Sequence, residues 1–300
     1  MTEIKNGVYT DISIQDYHSN TSHLSATGIK IAKKSLKEWH WTRMGLIPRE
    51  EKMAYSFGNA FELALIDPIG FSEQVAVLKD SEWIEATLKD NPDITSPRGT
   101  KVYKGLFTTF VNENKGKYMI NETGKESYET IKHMMESAFA DAVIQKLILN
   151  TEYQTSVFWT DEESGLNLKT RPDLMKSKKN IVVNIKTAED GSPAAFSRDL
   201  AKYEYPLQAC IEMRGVIESG IMPSVDTYFW LVFEKNPPYN ATLYDFAESD
   251  RNACNDQLQY LLNKISRSMK EEKYPGYSDQ ADNQFGILTA NIPLWYKILG

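Results

Sequence analysis

Residues 157–187, VFWTDEESGLNLKTRPDLMKSKKNIVVNIKT, contain two apolar-rich runs on either side of a short basic connection. The second run, residues 181–187, is rich in β-branched residues and is typical of a largely buried strand, with Asn184 and Lys186 on one face. The first run ends at Asp173, and the MKSKKN segment between the runs resembles a turn. The pattern therefore predicts a β-hairpin that brings Asp173, Asn184 and Lys186 together.

These three side chains suit metal-assisted hydrolysis of a phosphodiester. Oxygen ligands hold Mg²⁺, and the bound ion polarises the phosphate and lowers the pKa of a water molecule. A nearby lysine can orient that water or offset developing negative charge. A structural interpretation also fits the spacing, in which Asp173 caps a turn after Pro172 and Lys186 extends from the strand end to solvent.

The two halves of this pattern resemble the motif of the PD-(D/E)xK nuclease superfamily: Pro172-Asp173 is the first half and Asn184-Ile185-Lys186 the second. The segments FWTD (158–161), SGL (164–166) and KTRPD (169–173) are also similar to the exodeoxyribonuclease VIII family of phage recombination exonucleases. The resemblance implies an α/β fold with a mixed central β-sheet flanked by helices, the restriction-endonuclease-like core. It also implies an exodeoxyribonuclease that depends on Mg²⁺, with Mn²⁺ as a possible substitute for that ion.

Asn184 departs from the family pattern, because the family carries an acidic metal ligand at this position. A neutral amide oxygen is a much weaker partner for Mg²⁺ than a carboxylate. Three interpretations stay open: an engineered substitution that blocks turnover, a natural site with a shifted ligand set, and a catalytically inactive DNA-binding or recruitment module. A metal-free phage scaffold or adaptor is a further alternative. The presence of Asp173 and Lys186 favours a working or recently working site.

A further site candidate, Glu62, lies on a predicted apolar helix that ends before Pro68. On sequence alone, a carboxylate on such a helix most simply faces solvent. In the resembling families this helix supplies a His or Glu near the metal, four residues after a glycine, and Gly58 and Glu62 keep that interval. A glutamate here is similar to lambda exonuclease, and its charge could partly compensate for Asn184.

The resemblance implies a role for each remaining site residue, and it also contains a second departure. Tyr205 and Gln208 match a Tyr and a Gln that precede a helix near the scissile phosphate, although both could be ordinary helix-surface residues. The family's usual Tyr four residues after the Gln is replaced by Glu212. The implied roles are metal binding by Glu62, Asp173, Asn184 and the Ile185 carbonyl; catalysis by Lys186, Asp173, Asn184 and Gln208; and DNA binding by Arg171, Tyr205, Gln208 and Lys33.

Two of the DNA-binding residues also have a physical argument of their own. The forked guanidinium of Arg171 suits the paired oxygens of a phosphate. Lys33 lies with Lys30 and Lys34 on a helix for which Ser25 is a candidate N-cap. These lysines could contact phosphate, or they could form a solvated helix face.

The rest of the chain predicts alternating helices and strands without an interdomain linker or internal repeat. Residues 70–125 are polar, and three segments among them, 91–93, 96–100 and 112–114, are interpreted as loop or turn material, with a basic cluster at Arg98, Lys101 and Lys104. The other predicted elements are a strand near Val8, helices over 25–39, 126–149, 203–213 and 247–271, and strands over 225–234 and 239–246. Since the resemblance runs to Tyr274–Ser278 and Ile292–Trp295, a single nuclease domain over residues 1–300 is expected.

Composition limits the classes of protein that fit. The 300 residues are 41% hydrophobic, enough for a sizeable core, and the formal net charge is −7, so DNA contact requires a local basic surface. Two cysteines and four histidines match no metal-ligand spacing, which favours a reduced cytoplasm. No secretory signal or membrane span is expected.

The partners are implied by the resemblance alone. It implies duplex DNA ends as the substrate, with one strand resected for phage-type recombination. It further implies a ring-shaped homo-oligomer, a single-strand annealing protein as partner, and a phage or prophage origin in a bacterial host.

Overall fold

A five-stranded mixed β-sheet forms the centre of the fold in the computed structural model, which describes residues 4–47 and 53–292. Its strand order is β10-β9-β8-β7-β4, and only the β8–β9 pair is parallel. The strands are β4 (Glu152–Tyr153), β7 (Leu174–Lys176), β8 (Ile181–Ala188), β9 (Thr227–Glu234) and β10 (Ala241–Asp245).

A hairpin is present as β7 and β8, which pair antiparallel from Leu174 with Val183 to Lys176 with Ile181. A short 3₁₀ turn connects them and ends at Asn180, whose φ of 53° is tolerated by asparagine. The first strand differs from the prediction, because Met175 and Lys176 of the predicted turn belong to β7 and the first run does not pair with β8. That run is divided, because β5 (Ser156–Thr160) and β6 (Asn167–Thr170) form a separate antiparallel sheet with β1 (Gly7–Tyr9).

Helices cover both faces of the central sheet, since successive side chains of a strand point to opposite sides. Trp230 and Val232 pack in one core and Leu231 and Phe233 in the other. The first core includes α2 (Ala26–Lys34), α3 (Leu36–Arg43), α10 (Pro193–Tyr203), α11 (Tyr205–Glu218) and α12 (Glu248–Glu271). The second core includes α4 (Met53–Ile66), α8 (Tyr128–Ala140) and α9 (Ala142–Ile148). This arrangement confirms the predicted α/β class with a flanked mixed sheet.

Two predicted helices are each divided by a capping residue. Ser25 caps α2 as predicted, but Ser35 leaves the helical region with φ −160° and accepts a hydrogen bond from Glu38 N–H to begin α3. Asp141 likewise separates α8 from α9 by accepting hydrogen bonds from the first N–H groups of α9. Side-chain oxygens at these positions satisfy N–H groups that lack a partner in the helix.

Residues 91–93 and 96–100 lie in turns as predicted, whereas 112 and 113 of the third predicted turn belong to a helix that ends at Glu113. Trp83 is buried and contacts the rings of Tyr103, Phe107 and Phe110, so aromatic packing joins the helices on either side of the first two turns. Arg98 of the predicted basic cluster pairs with Asp80. The elements of this region are α5 (Pro68–Gln74), β2 (Val75–Val77), α6 (Asp80–Asp90), α7 (Lys101–Glu113) and β3 (Tyr118–Ile120).

The ends of the chain add one helix, α1 (Ile14–Ser19), and a short C-terminal segment. Of the tail residues that resemble the exonuclease family, 293–295 lie outside the described residues. In the described part of the chain, none of the helices has the length and apolar character needed to cross a membrane.

Candidate active site

Asp173 lies where the chain passes from the small sheet into the central one. Pro172, which has no N–H to donate, precedes it, and β7 begins at the next residue. The register that pairs Leu174 with Val183 sets Asp173 opposite Asn184. One carboxylate oxygen, Oδ2, accepts a hydrogen bond of 2.7 Å from the Ile185 N–H. The hairpin therefore holds the Asp173 carboxylate against the middle of β8.

Lys186 lies two residues beyond Asn184 on β8, so both side chains project from the same face of the sheet. Its ammonium nitrogen is 4.6 Å from the centre of the Tyr205 ring, a cation–π distance. Its positive charge also acts on the carboxyl groups of Asp173 and Glu62, where it lowers the pKa. The structure thus brings Lys186 together with Tyr205 and the acidic residues.

Glu62 of α4 faces the cleft rather than solvent, and it lines the same cavity as Asp173 and Arg171. Its Oε1 accepts a hydrogen bond of 3.3 Å from the side chain of Gln154. Burial, followed by the negative charge of Asp173, raises the pKa of Glu62 to about 8. Burial likewise raises the pKa of Asp173, although Lys186 and the Ile185 N–H oppose it.

Asn184 is fully buried and donates a hydrogen bond of 3.3 Å from Nδ2 to Oε1 of Glu212. Its Oδ1 has no hydrogen-bond partner among the described residues. Glu212 lies on α11, is 2% exposed, and also accepts hydrogen bonds from Gln208 at 2.8 Å and the Tyr228 hydroxyl at 2.7 Å. Burial, followed by the charge of Asp173, raises the pKa of Glu212 to about 7.

Glu212 was not among the predicted site residues, although its sequence position contained a signal. It follows Gln208 by four residues, and residues at this spacing share one face of a helix. Gln208 was predicted to face the site, so Glu212 had to face it as well.

Two of the predicted DNA-binding residues, Arg171 and Lys33, already contact other groups of the protein. Arg171 lines the cleft, but its guanidinium donates to the Ile12 carbonyl at 2.9 Å and to the side chains of Ser156 and Gln154 at 3.1 Å. Lys33 forms an ion pair of 2.7 Å with Glu204. Both cations are therefore already occupied by the protein itself.

Lys30, one turn before Lys33 on α2, lies closer to the site. Its ammonium donates to Oε1 of Gln208 at 3.4 Å and is 5.6 Å from the centre of the Tyr205 ring. Burial, followed by the charge of Lys186, lowers the pKa of Lys30 to about 8. Lys30, Lys186, Tyr205 and Gln208 thus form a cationic cluster that adjoins the cleft through Gln208.

The oxygen groups at this site fit a hard divalent cation such as Mg²⁺. Asp173 contributes to the raised pKa of both Glu62 and Glu212, beside a buried amide oxygen that has no partner among the described residues, and a cation would stabilise this arrangement. Within residues 4–47 and 53–292, no three His, Cys, Asp or Glu side chains are grouped closely enough to hold a metal alone. A metal at this site would therefore need further oxygen atoms besides these side chains, and Asn184 and Ile185 stay predictions for that role.

The fold and this site belong to the PD-(D/E)xK class, a nuclease-type architecture, which confirms the recognition made from the sequence. The family sequence model of the "PDDEXK-like domain of unknown function (DUF3799)" matches residues 25–284, and the chain belongs to this family. No curated protein sequence matches the chain.

One solved structure shares the fold. The structure named "Putative exonuclease" from Eubacterium rectale is 15% identical, covers 97% of this chain and 100% of its own, and has a TM-score of 0.58. The structure named SSO0001 is 13% identical, covers 79% of this chain and 90% of its own, and has a TM-score of 0.29, too low for comparison.

Proposed function

We propose that this protein is a Mg²⁺-dependent exodeoxyribonuclease that resects one strand from the ends of duplex DNA. The observation that carries the proposal is the grouping of Asp173, Glu62 and Lys186 at the hairpin of a PD-(D/E)xK fold. Acidic groups with raised pKa values beside a lysine in a cleft are characteristic of functional sites. The narrower resemblance to exodeoxyribonuclease VIII supports duplex ends as the substrate.

In the proposed mechanism, each residue acts from the position described above. Asp173, Glu62, the Ile185 carbonyl and the Asn184 amide oxygen would hold the cation. Such an ion would supply polarisation of the phosphate and would lower the pKa of a water molecule. Lys186 would orient the attacking water, and the Tyr205 ring near its ammonium restricts where that ammonium can lie.

The cationic cluster that adjoins the cleft supplies the contact with DNA. Lys30 and Gln208 are adjacent and suit the two kinds of phosphate contact, ionic and hydrogen-bonded. The net charge of −7 opposes binding elsewhere on the surface. We therefore infer that the affinity for DNA is local to this cleft and falls steeply with salt concentration.

The test is digestion of linear duplex DNA beside the same sequence as a covalently closed circle, with Mg²⁺ or with EDTA. We expect the wild-type protein to shorten only the linear form, only with Mg²⁺. Lys186→Ala should reduce the rate by roughly a hundredfold or more, the usual loss when a group that acts on the proton of a nucleophile is removed. Lys178→Ala, on the basic turn of the same hairpin, is the matched control and should leave the rate unchanged.

Equal cutting of the circle would replace the exonuclease by an endonuclease. Binding of linear DNA without any cleavage under these conditions would contradict the proposed activity. That result would favour the alternative, a catalytically inactive nuclease-fold module that binds DNA or recruits other proteins.

The resemblance also supports proposals about the assembly. We propose that the chain acts as a single nuclease domain within a ring-shaped homo-oligomer, with a single-strand annealing protein as partner in phage-type recombination. Light scattering of the purified protein measures the oligomer mass directly. A monomer at all concentrations would contradict the ring.

A further inference from the structure

We propose that Glu212 supplies, from helix α11, the negative charge that residue 184 lacks, and that Asn184 and Glu212 act on the metal as one unit. This inference rests on the proposed metal-dependent nuclease function and names an additional residue for it. Glu212 is a positioning and charge-supplying residue in this account, and Asn184 supplies the ligand oxygen.

The two departures from the resembling family meet in space. Along the sequence, Asn184 and Glu212 are 28 residues apart, and each replaces a residue type that the family pattern would place there. In the structure, Nδ2 of Asn184 donates directly to Oε1 of Glu212 at 3.3 Å. A carboxylate removed from strand β8 is thus matched by a carboxylate added on the helix that packs over it.

The contact also fixes the orientation of the Asn184 amide. The reverse orientation would set Oδ1 against a carboxylate oxygen, and two acceptors cannot form a hydrogen bond. With Nδ2 bound to Glu212, the amide oxygen is turned away from it and has no partner in the described part of the chain. A buried polar atom without a partner is costly, so a cation at Oδ1 would satisfy it.

Hydrogen bonds to both of its oxygens hold the Glu212 carboxyl group in place beside Asn184. Gln208 and the Tyr228 hydroxyl donate to its two oxygens at 2.8 and 2.7 Å. Among the described residues it forms no ion pair, although it is 2% exposed. Buried glutamates are rare without a compensating charge, and a metal cation beside Asp173 would provide that charge.

Glu62 does not provide the same compensation, although it belongs to the same site. Glu62 accepts a hydrogen bond from the Gln154 side-chain amide, and the oxygen of that amide accepts one from Arg171. Glu62 therefore approaches Asp173 from α4, while Glu212 contacts Asn184 itself from α11. The two glutamates have separate roles, and only Glu212 stands in for the charge at 184.

A charge exchange tests the proposal. We compare wild type with Glu212→Gln, Asn184→Asp and the double variant, using Mn²⁺ affinity by calorimetry as the readout besides Mg²⁺-dependent cleavage. Glu212→Gln should weaken Mn²⁺ binding at least tenfold, because it removes the charge and keeps the shape. The double variant should restore both Mn²⁺ affinity and cleavage to within about threefold of wild type, since it moves the charge back to the strand.

Two further variants separate charge from structure. Tyr228→Phe removes one hydrogen bond to Glu212 but keeps its charge, and we expect Mn²⁺ affinity within about threefold of wild type. If Glu212→Gln alone does not fold, the double variant and Asn184→Asp are compared instead. Asn184→Asp keeps Glu212 and so has one carboxylate more than the double variant. It should therefore bind Mn²⁺ more tightly than the double variant. Without metal it should be less thermally stable than the double variant, because two carboxylates then lie side by side.

Unchanged Mn²⁺ affinity in Glu212→Gln, or equal affinity in Asn184→Asp and the double variant, would overturn the proposal. Absence of Mn²⁺ binding by the folded wild-type protein would overturn both this inference and the proposed function. Mn²⁺ binding with the expected exchange pattern, but without DNA cleavage by any variant, would support the inference and contradict only the nuclease activity.

Discussion

Asp161 and Asp173 are both withdrawn from solvent, yet their surroundings differ. Asp161 accepts hydrogen bonds from the backbone and hydroxyl of Ser164, at 2.9 and 2.6 Å, and pairs with Arg214 at 3.1 Å. Burial opposes its ionisation, but the bonds from Ser164 and Gln259 and the charge of Arg214 outweigh burial and lower its pKa. The carboxylate of Asp173 accepts one hydrogen bond within the described residues, from the Ile185 N–H, and burial raises its pKa.

The difference separates a carboxylate that stabilises the fold from one that is available for chemistry. Asp161 closes the turn between β5 and β6 and ties it to α11 and α12 through Arg214 and Gln259. Asp173 lies near the acidic groups of Glu62 and Glu212, and burial outweighs the opposing charges of Lys186 and Arg171, so its pKa is raised. Burial alone therefore does not identify a functional acid; a raised pKa beside further acidic groups does.

The largest expected effect comes from replacing aspartate by asparagine at the two positions, since cleavage should fall in one variant and stability in the other. Asp173→Asn should reduce Mg²⁺-dependent cleavage by about a thousandfold, since a metal ligand supplies several kcal/mol of transition-state stabilisation. Its thermal stability should stay equal or rise, because a buried charge is removed. Cleavage rates and melting temperatures measure the two effects.

Asp161→Asn should show the reverse behaviour. It leaves Arg214 without its buried counter-ion, so we expect a loss of about 3 kcal/mol in the free energy of unfolding. The rate per folded molecule should stay within about threefold of wild type. An active Asp173→Asn variant, or an inactive but fully stable Asp161→Asn variant, would contradict the distinction.

A smaller effect is expected for Glu62→Gln on α4. The amide keeps the oxygen near Asp173 but removes the charge, so cleavage should fall about ten- to a hundredfold, as for other groups that support a metal. Because one of two neighbouring negative charges is removed, the metal-free variant should melt at a higher temperature at pH 8. Asp67→Asn, at the residue that follows α4 and caps α5, is the control for a change of charge, because asparagine keeps the capping hydrogen bond to the Gly70 N–H.

The hairpin could be predicted from the sequence because its information is local. The β-branched run around Val182 and Val183 and the turn at Asn180 indicate strand and reversal without reference to the rest of the chain. Its register then necessarily set Asp173 opposite Asn184. The Ser25 cap and the two later strands were predictable for the same reason.

Other features depended on contacts distant in sequence. Trp83 packs against Tyr103 and Phe110, which lie 20 and 27 residues later in the chain, and these contacts join two helices across the turns between them. The pairing of Asn184 with Glu212 joins a strand to a helix across the core. The ion pair between Lys33 and Glu204 likewise depends on helix packing. Lys30, which contacts Gln208, is then the lysine of α2 nearer to the site.

The smallest effect concerns Lys30 and appears as a pH dependence. Its pKa of about 8 means that its charge is present below pH 8 and is lost as the pH rises through that value. Because the folded pKa lies below the usual value, the unfolded chain binds more protons between about pH 8 and 10.5, and stability contributed by this group rises over that window. DNA affinity should change in the opposite direction.

We therefore expect wild-type affinity for duplex DNA, measured with Ca²⁺ to prevent turnover, to fall several-fold between pH 7 and pH 9. Lys30→Arg keeps its charge over this range and should lose less affinity, and its salt dependence should exceed that of Lys30→Ala by about one unit of slope. Identical pH profiles for wild type and Lys30→Arg would exclude Lys30 from the DNA contact.

The central claim, that Asp173 and not Asp161 belongs to a metal site, is tested most directly by thermal unfolding at pH 8 with and without Mn²⁺. At a hundredfold excess over Kd, a ligand of the folded state adds about 2.7 kcal/mol to its stability. We predict a matching rise in Tm for wild type and, from a lower starting value, for Asp161→Asn, with no rise for Asp173→Asn. An equal rise in Asp173→Asn would contradict the account.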